Sequence, residues 1–125
     1  MIEPVLDASA VIAMLRGEPG GDQVEALAGR ASICAVNVAE IIARVAQEDP
    51  LGATSRVLML PFRIVNFDAG LAIDAGLLRS TTDREGLSLG DRACLALARR
   101  DGVPAWTTDQ PWARLDVGVE IVLLR

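Results

Sequence analysis

The sequence predicts an α/β fold: a parallel β-sheet flanked by α-helices on both faces, an α/β/α sandwich. Three observations carry that prediction. Short apolar runs bounded by turn residues alternate with amphipathic stretches of helical period along the 125 residues. The order of these elements is that of successive βαβ units rather than of hairpins. Hydrophobic side chains make up 51% of the chain, which fills one core but not two, so residues 1–125 are expected to form one domain.

Taken in order, Ile2–Ala10 reads as a short apolar strand that ends on Asp7 and turns at once into a helix. Val5 and Leu6 suit a buried parallel strand, and Ser9 is expected to N-cap a helix running to about Arg16. Gly17–Gly21 breaks that helix, and Asp22–Ala28 should form a second one. A short strand is expected at Ala31–Cys34. It is followed by an amphipathic helix, Val36–Glu48, with Val38, Ile41, Ile42 and Val45 on one side. Asp49-Pro50 stops it, and a further helix fills Leu51–Met59. Phe62–Phe67 reads as a strand, Asp68 caps a helix extending to about Arg79, and Ser80–Gly86 reads as a polar loop. Ser88–Arg100 is the next helix, stopped by Asp101-Gly102. Pro104–Thr107 and Val119–Leu124 are the last strands, with a turn of helix between them at Pro111–Arg114.

Absent residue types exclude much chemistry. Without histidine there is no Ser-His or Cys-His nucleophile and no histidine-ligated zinc. All 12 basic residues are arginine, which removes a P-loop and a Schiff-base lysine. The chemistry must come from carboxylates, hydroxyls, amides and arginines, with a metal as the natural complement. A net charge of −5 argues against binding nucleic acid through the overall field, but not against a local groove in which acids hold a cation. Cys34 and Cys94 lack any C-x-x-C spacing and are expected as reduced core thiols of a cytoplasmic protein. No stretch approaches the roughly 20 uninterrupted apolar residues of a membrane span, and no secretory signal is expected.

Four acids stand out. Asp7 lies where a strand hands over to a helix, the edge at which open α/β sheets collect ligands; a turn or capping role is the competing reading. Asp91 falls on the apolar stripe of its helix with Cys94, Leu95 and Ala98, away from Arg92, Arg99 and Arg100. An inward aspartate costs several kcal/mol unless a cation or hydrogen bonds stabilise it. Ser88-x-x-Asp91 also has the form of a capping box, and capping and metal binding can coexist. Glu40 clusters with Asn37, Arg44 and Gln47, which by periodicity alone reads as a solvated face with a Glu40–Arg44 pair. Asp109 directly follows a strand and could equally N-cap the turn that begins near Pro111. Two strand-end aspartates and one helix-start aspartate can converge on one sheet edge, as hard oxygen ligands suited to Mg²⁺ or Mn²⁺.

Four segments together resemble a PIN domain, more narrowly the VapC-type ribonuclease toxins of bacterial toxin–antitoxin pairs. They are Leu6-Asp7-Ala8-Ser9-Ala10, Asn37-Val38-Ala39-Glu40, Leu89-Gly90-Asp91-Arg92-Ala93-Cys94-Leu95-Ala96-Leu97-Ala98 and Thr107-Thr108-Asp109-Gln110-Pro111-Trp112. The resemblance spans essentially the whole chain, in the family's order. It implies that Asp7, Glu40 and Asp91, with Asp109 as a more variable fourth, form a metal-dependent catalytic cluster for RNA phosphodiester hydrolysis. On that reading Asp7 and Asp91 are principal ligands of Mg²⁺ (or Mn²⁺), and Asp109 binds the same or a second ion. Glu40 acts on metal through water or orients the nucleophile, and it faces the cleft instead of bulk water. Ser9 and Thr107 place hydroxyls near the metal. Gly90 is a departure, since many relatives carry alanine there.

The resemblance also implies partners: an RNA substrate, a cognate antitoxin whose chain covers the cleft, and a homodimer, with no membrane. Arg16, Arg44, Arg84 and Arg92 are candidates for RNA phosphates, with a solvated surface role as the alternative to each. Val57-Leu58-Met59-Leu60-Pro61-Phe62 reads either as part of an interface or as core. Two rival functions stand beside the nuclease. One is a phosphatase with Asp7 as nucleophile, for which Ser9 replaces the needed second aspartate and the needed lysine is missing. The other is a catalytically silent interaction module.

Overall fold

Side chains that alternate along the strands divide the interior in two. The computed structural model describes residues 3–125, so Ile2, where the first strand was expected to begin, lies outside the described residues. Among these residues five parallel strands pair in the order β3-β2-β1-β4-β5: β1 Val5–Leu6, β2 Ser32–Cys34, β3 Arg63–Val65, β4 Ala105–Thr107 and β5 Ile121–Leu123. Seven α-helices accompany them: α1 Ala8–Arg16, α2 Gly21–Glu25, α3 Ala35–Ala46, α4 Ala53–Leu58, α5 Ala69–Leu77, α6 Arg79–Thr82 and α7 Leu89–Asp101. A 3₁₀ turn, Gln110–Arg114, precedes β5.

Successive strand residues point to opposite faces. Val5, Cys34 and Ala105 therefore pack with α5 and α7, against Leu71, Ala75, Leu95 and Leu97. Leu6 and Ile33 pack with α1 to α4, against Val11, Ile12, Ile41, Val45 and Val57. The α/β/α expectation holds. Cys34 and Cys94 are both free and buried, as expected of core thiols. Among the described residues no helix is long and apolar enough to cross a membrane.

Most elements fall where the sequence places them, with shorter strands. α5 begins at its expected cap: the Asp68 carboxylate accepts from the Leu71 amide at 2.9 Å. Asp68→Ala should cost about 1 kcal/mol of stability, read as a lower urea midpoint. Two expectations need correction. Ser80–Gly86 is not all loop, because α6 turns through Arg79–Thr82. The Thr81 and Thr82 hydroxyls donate back to the Leu78 carbonyl at 3.1 and 2.9 Å, which keeps the backbone helical. Ser9 is not the N-cap of α1. Asp7 holds that position, with extended backbone (φ −71°, ψ 155°) and no side-chain cap bond. The apolar hexapeptide divides: Val57 and Phe62 are core, while Leu58 and Met59 are exposed.

The topology fixes where chemistry can occur. From β1 the chain builds outward through β2 and β3, then crosses to β4 on the other side of β1. The β1/β4 boundary is thus the switch point, where an open α/β sheet leaves a crevice at its carboxyl edge.

Candidate metal centre

Asp7 follows β1, and Thr107 ends β4 beside it; the Asp7 amide donates to the Trp106 carbonyl at 2.9 Å. Asp109 comes two residues after β4. α7 runs back toward the start of β4, so its N-terminus and Asp91 lie at the same sheet edge. The chain thereby brings one carboxylate oxygen each from Asp7, Asp91 and Asp109 within 4.8 Å of one another. These three, with Ser9, Glu40 and Arg44, line a cavity of about 380 Å³.

Each acid is held differently. Asp7 is only 2% exposed. Its Oδ2 accepts from the Ser9 hydroxyl at 2.7 Å and from the Thr107 hydroxyl at 2.9 Å. Those hydroxyls are aimed by the backbone, since Ser9 Oγ accepts from the Thr108 amide and Thr107 Oγ1 from the Asp109 amide. With that lone pair occupied, each hydroxyl proton is directed at Asp7. Asp7 occupies the capping position in the backbone while its carboxylate serves the cavity. Asp91 combines its cap with a place in the acid cluster. It completes a capping box with Ser88 through bonds of 2.9 and 3.2 Å, and it stands in the acid cluster. Asp109 precedes the 3₁₀ turn without a side-chain cap bond, which leaves its carboxylate free for the cluster.

Glu40 lines the cavity but is not in the cluster of three. The solvated reading suggested by periodicity does not hold, for two reasons. Glu40 is half-buried and bonded to Asn37, and among the described residues no ion pair joins it to Arg44. Asn37, named in the sequence only as a neighbour of Glu40, has a role of its own. It is fully buried, and its Nδ2 donates to Glu40 Oε1 at 2.7 Å and to the Gly90 carbonyl at 3.0 Å. Both partners are acceptors, which fixes the amide orientation. The Asn37 Oδ1 is left buried and unpartnered, at a cost on the order of 1–3 kcal/mol. Its position three residues before Glu40, on the same helical face, was the available signal.

The electrostatics are those of anions lacking a counterion. Burial pushes the Asp7 carboxyl up to about 7, with Asp91 and Asp109 adding to the rise and the two hydroxyls opposing it. Burial also raises Glu40, as do Asp91 and Asp109, against the Asn37 bond. Asp109 is raised by burial and by Asp91, with Arg125 opposing. Among the described residues no arginine forms an ion pair with any of these four acids. An all-oxygen anionic donor set of this kind fits a hard divalent cation, whose charge would reverse the rise and keep the acids ionised.

The candidate arginines separate. Arg44 lines the acid cavity and an adjoining cavity of about 240 Å³ that Arg16 and Arg56 also line. Arg16 is paired with Glu48 at 2.8 Å. Arg92 is structural, donating to the Ala75 carbonyl at 2.9 Å and tying α7 to α5. Arg84 is exposed and lines neither cavity.

The PIN domain family's sequence pattern matches residues 5–118, and the chain belongs to that family. Solved structures share its fold at low sequence identity. A chain of the toxin–antitoxin complex from Klebsiella pneumoniae superposes with a TM-score of 0.76 at 21% identity, covering 98% of each chain. The DNA-bound VapBC of Salmonella typhimurium gives 0.76 at 17%, covering 100% of each. VapC20 of Mycobacterium tuberculosis, a sarcin–ricin loop cleaving toxin, gives 0.72 at 17%, covering 94% of this chain and 99% of that one. No curated protein matches the chain in sequence.

Proposed function

We propose that residues 1–125 form one PIN domain that acts as a Mg²⁺- or Mn²⁺-dependent endoribonuclease, the toxin of a VapBC-type pair. The observation that carries this reading is the convergence of Asp7, Asp91 and Asp109 on one point, with ligand atoms within 4.8 Å, at the switch point of the sheet. Asp7 and Asp91 would be the principal metal ligands, with Asp109 on the same or a second ion. A divalent ion bound there supplies positive charge for a phosphodiester oxygen and a more acidic water. Glu40, held beside the cluster, orients the attacking water or takes its proton. Ser9 and Thr107 fix Asp7 and offer hydroxyl dipoles to water or phosphate. Arg44, at the junction of two cavities, is the arginine best placed for a flanking phosphate.

An antitoxin partner is supported by the toxin–antitoxin complexes among the chain's structural neighbours. Exposed Ile73 and Leu77 on α5, with Leu58 and Met59, offer apolar surface for that partner or for a second copy in a homodimer. An RNA substrate would put the site of action in the cytoplasm.

Incubating the purified chain with structured RNA and a small phosphate ester, with Mg²⁺, Mn²⁺ or EDTA, tests the reading. RNA cleavage that needs the ion, and that Asp91→Asn abolishes, is the expected result. Asparagine keeps an oxygen for the Ser88 amide, so the cap survives the loss of charge. Release of phosphate from the ester alone would favour a phosphatase, and no turnover of either substrate a silent module. Arg44→Ala should raise KM for RNA and lower the salt slope of binding by about one, with kcat held.

A further inference from the structure

We propose that Gly90 is a positioning residue for Glu40, and that its missing side chain is what keeps the glutamate beside the acid cluster instead of inside it. The inference rests on the nuclease reading for what Glu40 does, and on geometry alone for where it sits. A Cβ built at Gly90 would stand 2.5 Å from Glu40 Oε2 and nearer still to Oε1 and Cδ. Real Cβ atoms essentially never stand within 3.0 Å of a heavy atom from elsewhere in the chain, so the carboxylate occupies the volume a side chain at 90 would fill. Two further observations show that this placement is built. The fully buried Asn37 amide bridges Glu40 Oε1 and the Gly90 carbonyl, so one group locks the glutamate to the backbone of α7. Asn37 does so while its own Oδ1 stays unpartnered, an arrangement that stability alone does not favour.

An alanine at 90 would therefore move Glu40 rather than the helix, because the obstructing atoms are the free end of a flexible side chain. Glu40 already lines the cavity shared with Asp7, Asp91 and Asp109, so a displaced carboxylate has that space to turn into. A shift of about 1 Å there misplaces the group that orients water, an error that costs on the order of 10²-fold in rate.

The test is a double-mutant cycle on structured RNA with Mn²⁺, joined to a crystal structure of Gly90→Ala. That variant should lose about 10²-fold in kcat with KM little changed and with a melting temperature equal to or above wild type. Alanine at 40 ends at Cβ and leaves no carboxylate for the new methyl to displace. Gly90→Ala/Glu40→Ala should therefore be no slower than Glu40→Ala alone. Losses that multiply in the double variant would overturn the proposal, as would wild-type kcat in Gly90→Ala. The crystal structure reads position without activity. A Glu40 carboxylate swung off α7 supports the proposal, and an unmoved carboxylate or a displaced helix overturns it. If the wild-type chain cuts no RNA, the nuclease reading fails on its own and the crystal structure alone decides the claim about Gly90.

Discussion

Asp7→Asn should abolish RNA cleavage, by ~10³-fold or more, while the protein folds as well as before or better. The site loses the carboxylate at the centre of the cluster, and with it several kcal/mol of charge stabilisation at the reacting phosphate. The fold loses little, because the amide oxygen still accepts from the Ser9 and Thr107 hydroxyls that hold Asp7 now. Initial rates at saturating Mn²⁺, with urea denaturation alongside, check both halves. A variant retaining a tenth of wild-type kcat would show that Asp7 is not central to the chemistry.

The metal-free protein should lose stability as pH rises from about 4 to 7, the reverse of a protein held by salt-bridged carboxylates. The folded-state Asp7 carboxyl lies near 7, above its ordinary 3.8. The native state therefore binds a proton that the unfolded chain has already released. Its contribution is complete below the unfolded value and disappears as pH passes the folded one. Across about three units this is on the order of 4 kcal/mol. Glu40 and Asp109 are shifted in the same direction and steepen the slope. In EDTA the urea midpoint should fall between about pH 4 and 7, from the ordinary value to the raised one. Asp7→Asn should flatten most of that fall. Mn²⁺ at pH 8 should restore about 2.7 kcal/mol when present at a hundred times its dissociation constant. A metal-free midpoint that stays level over this range would mean that the acids carry no such strain.

The sequence determined which segments are strands or helices and which acids are candidates for a site, because both leave local marks. Hydrophobic period separates strand from helix, and the order of elements selects a parallel sheet. Strand-end aspartates and an aspartate on an apolar helical face mark a cost that a site would relieve, beside the capping roles the same positions allow. The helix at Arg79–Thr82 escaped that reading because its signal is a pair of hydroxyls bonding backward, which in sequence looks like a polar loop. Periodicity misread the surroundings of Glu40 for a different reason, and only the family resemblance turned it toward the cleft. Helical periodicity reports which side of α3 is polar, but not whether water or α7 lies against that side. Tertiary structure alone set the buried Asn37 amide between Glu40 and Gly90 and put a glutamate carboxylate where position 90 has no side chain. Asn37 and Gly90 are 53 apart in the chain. A contact over that separation depends on how two helices meet at the sheet edge, and neither helix encodes it by itself.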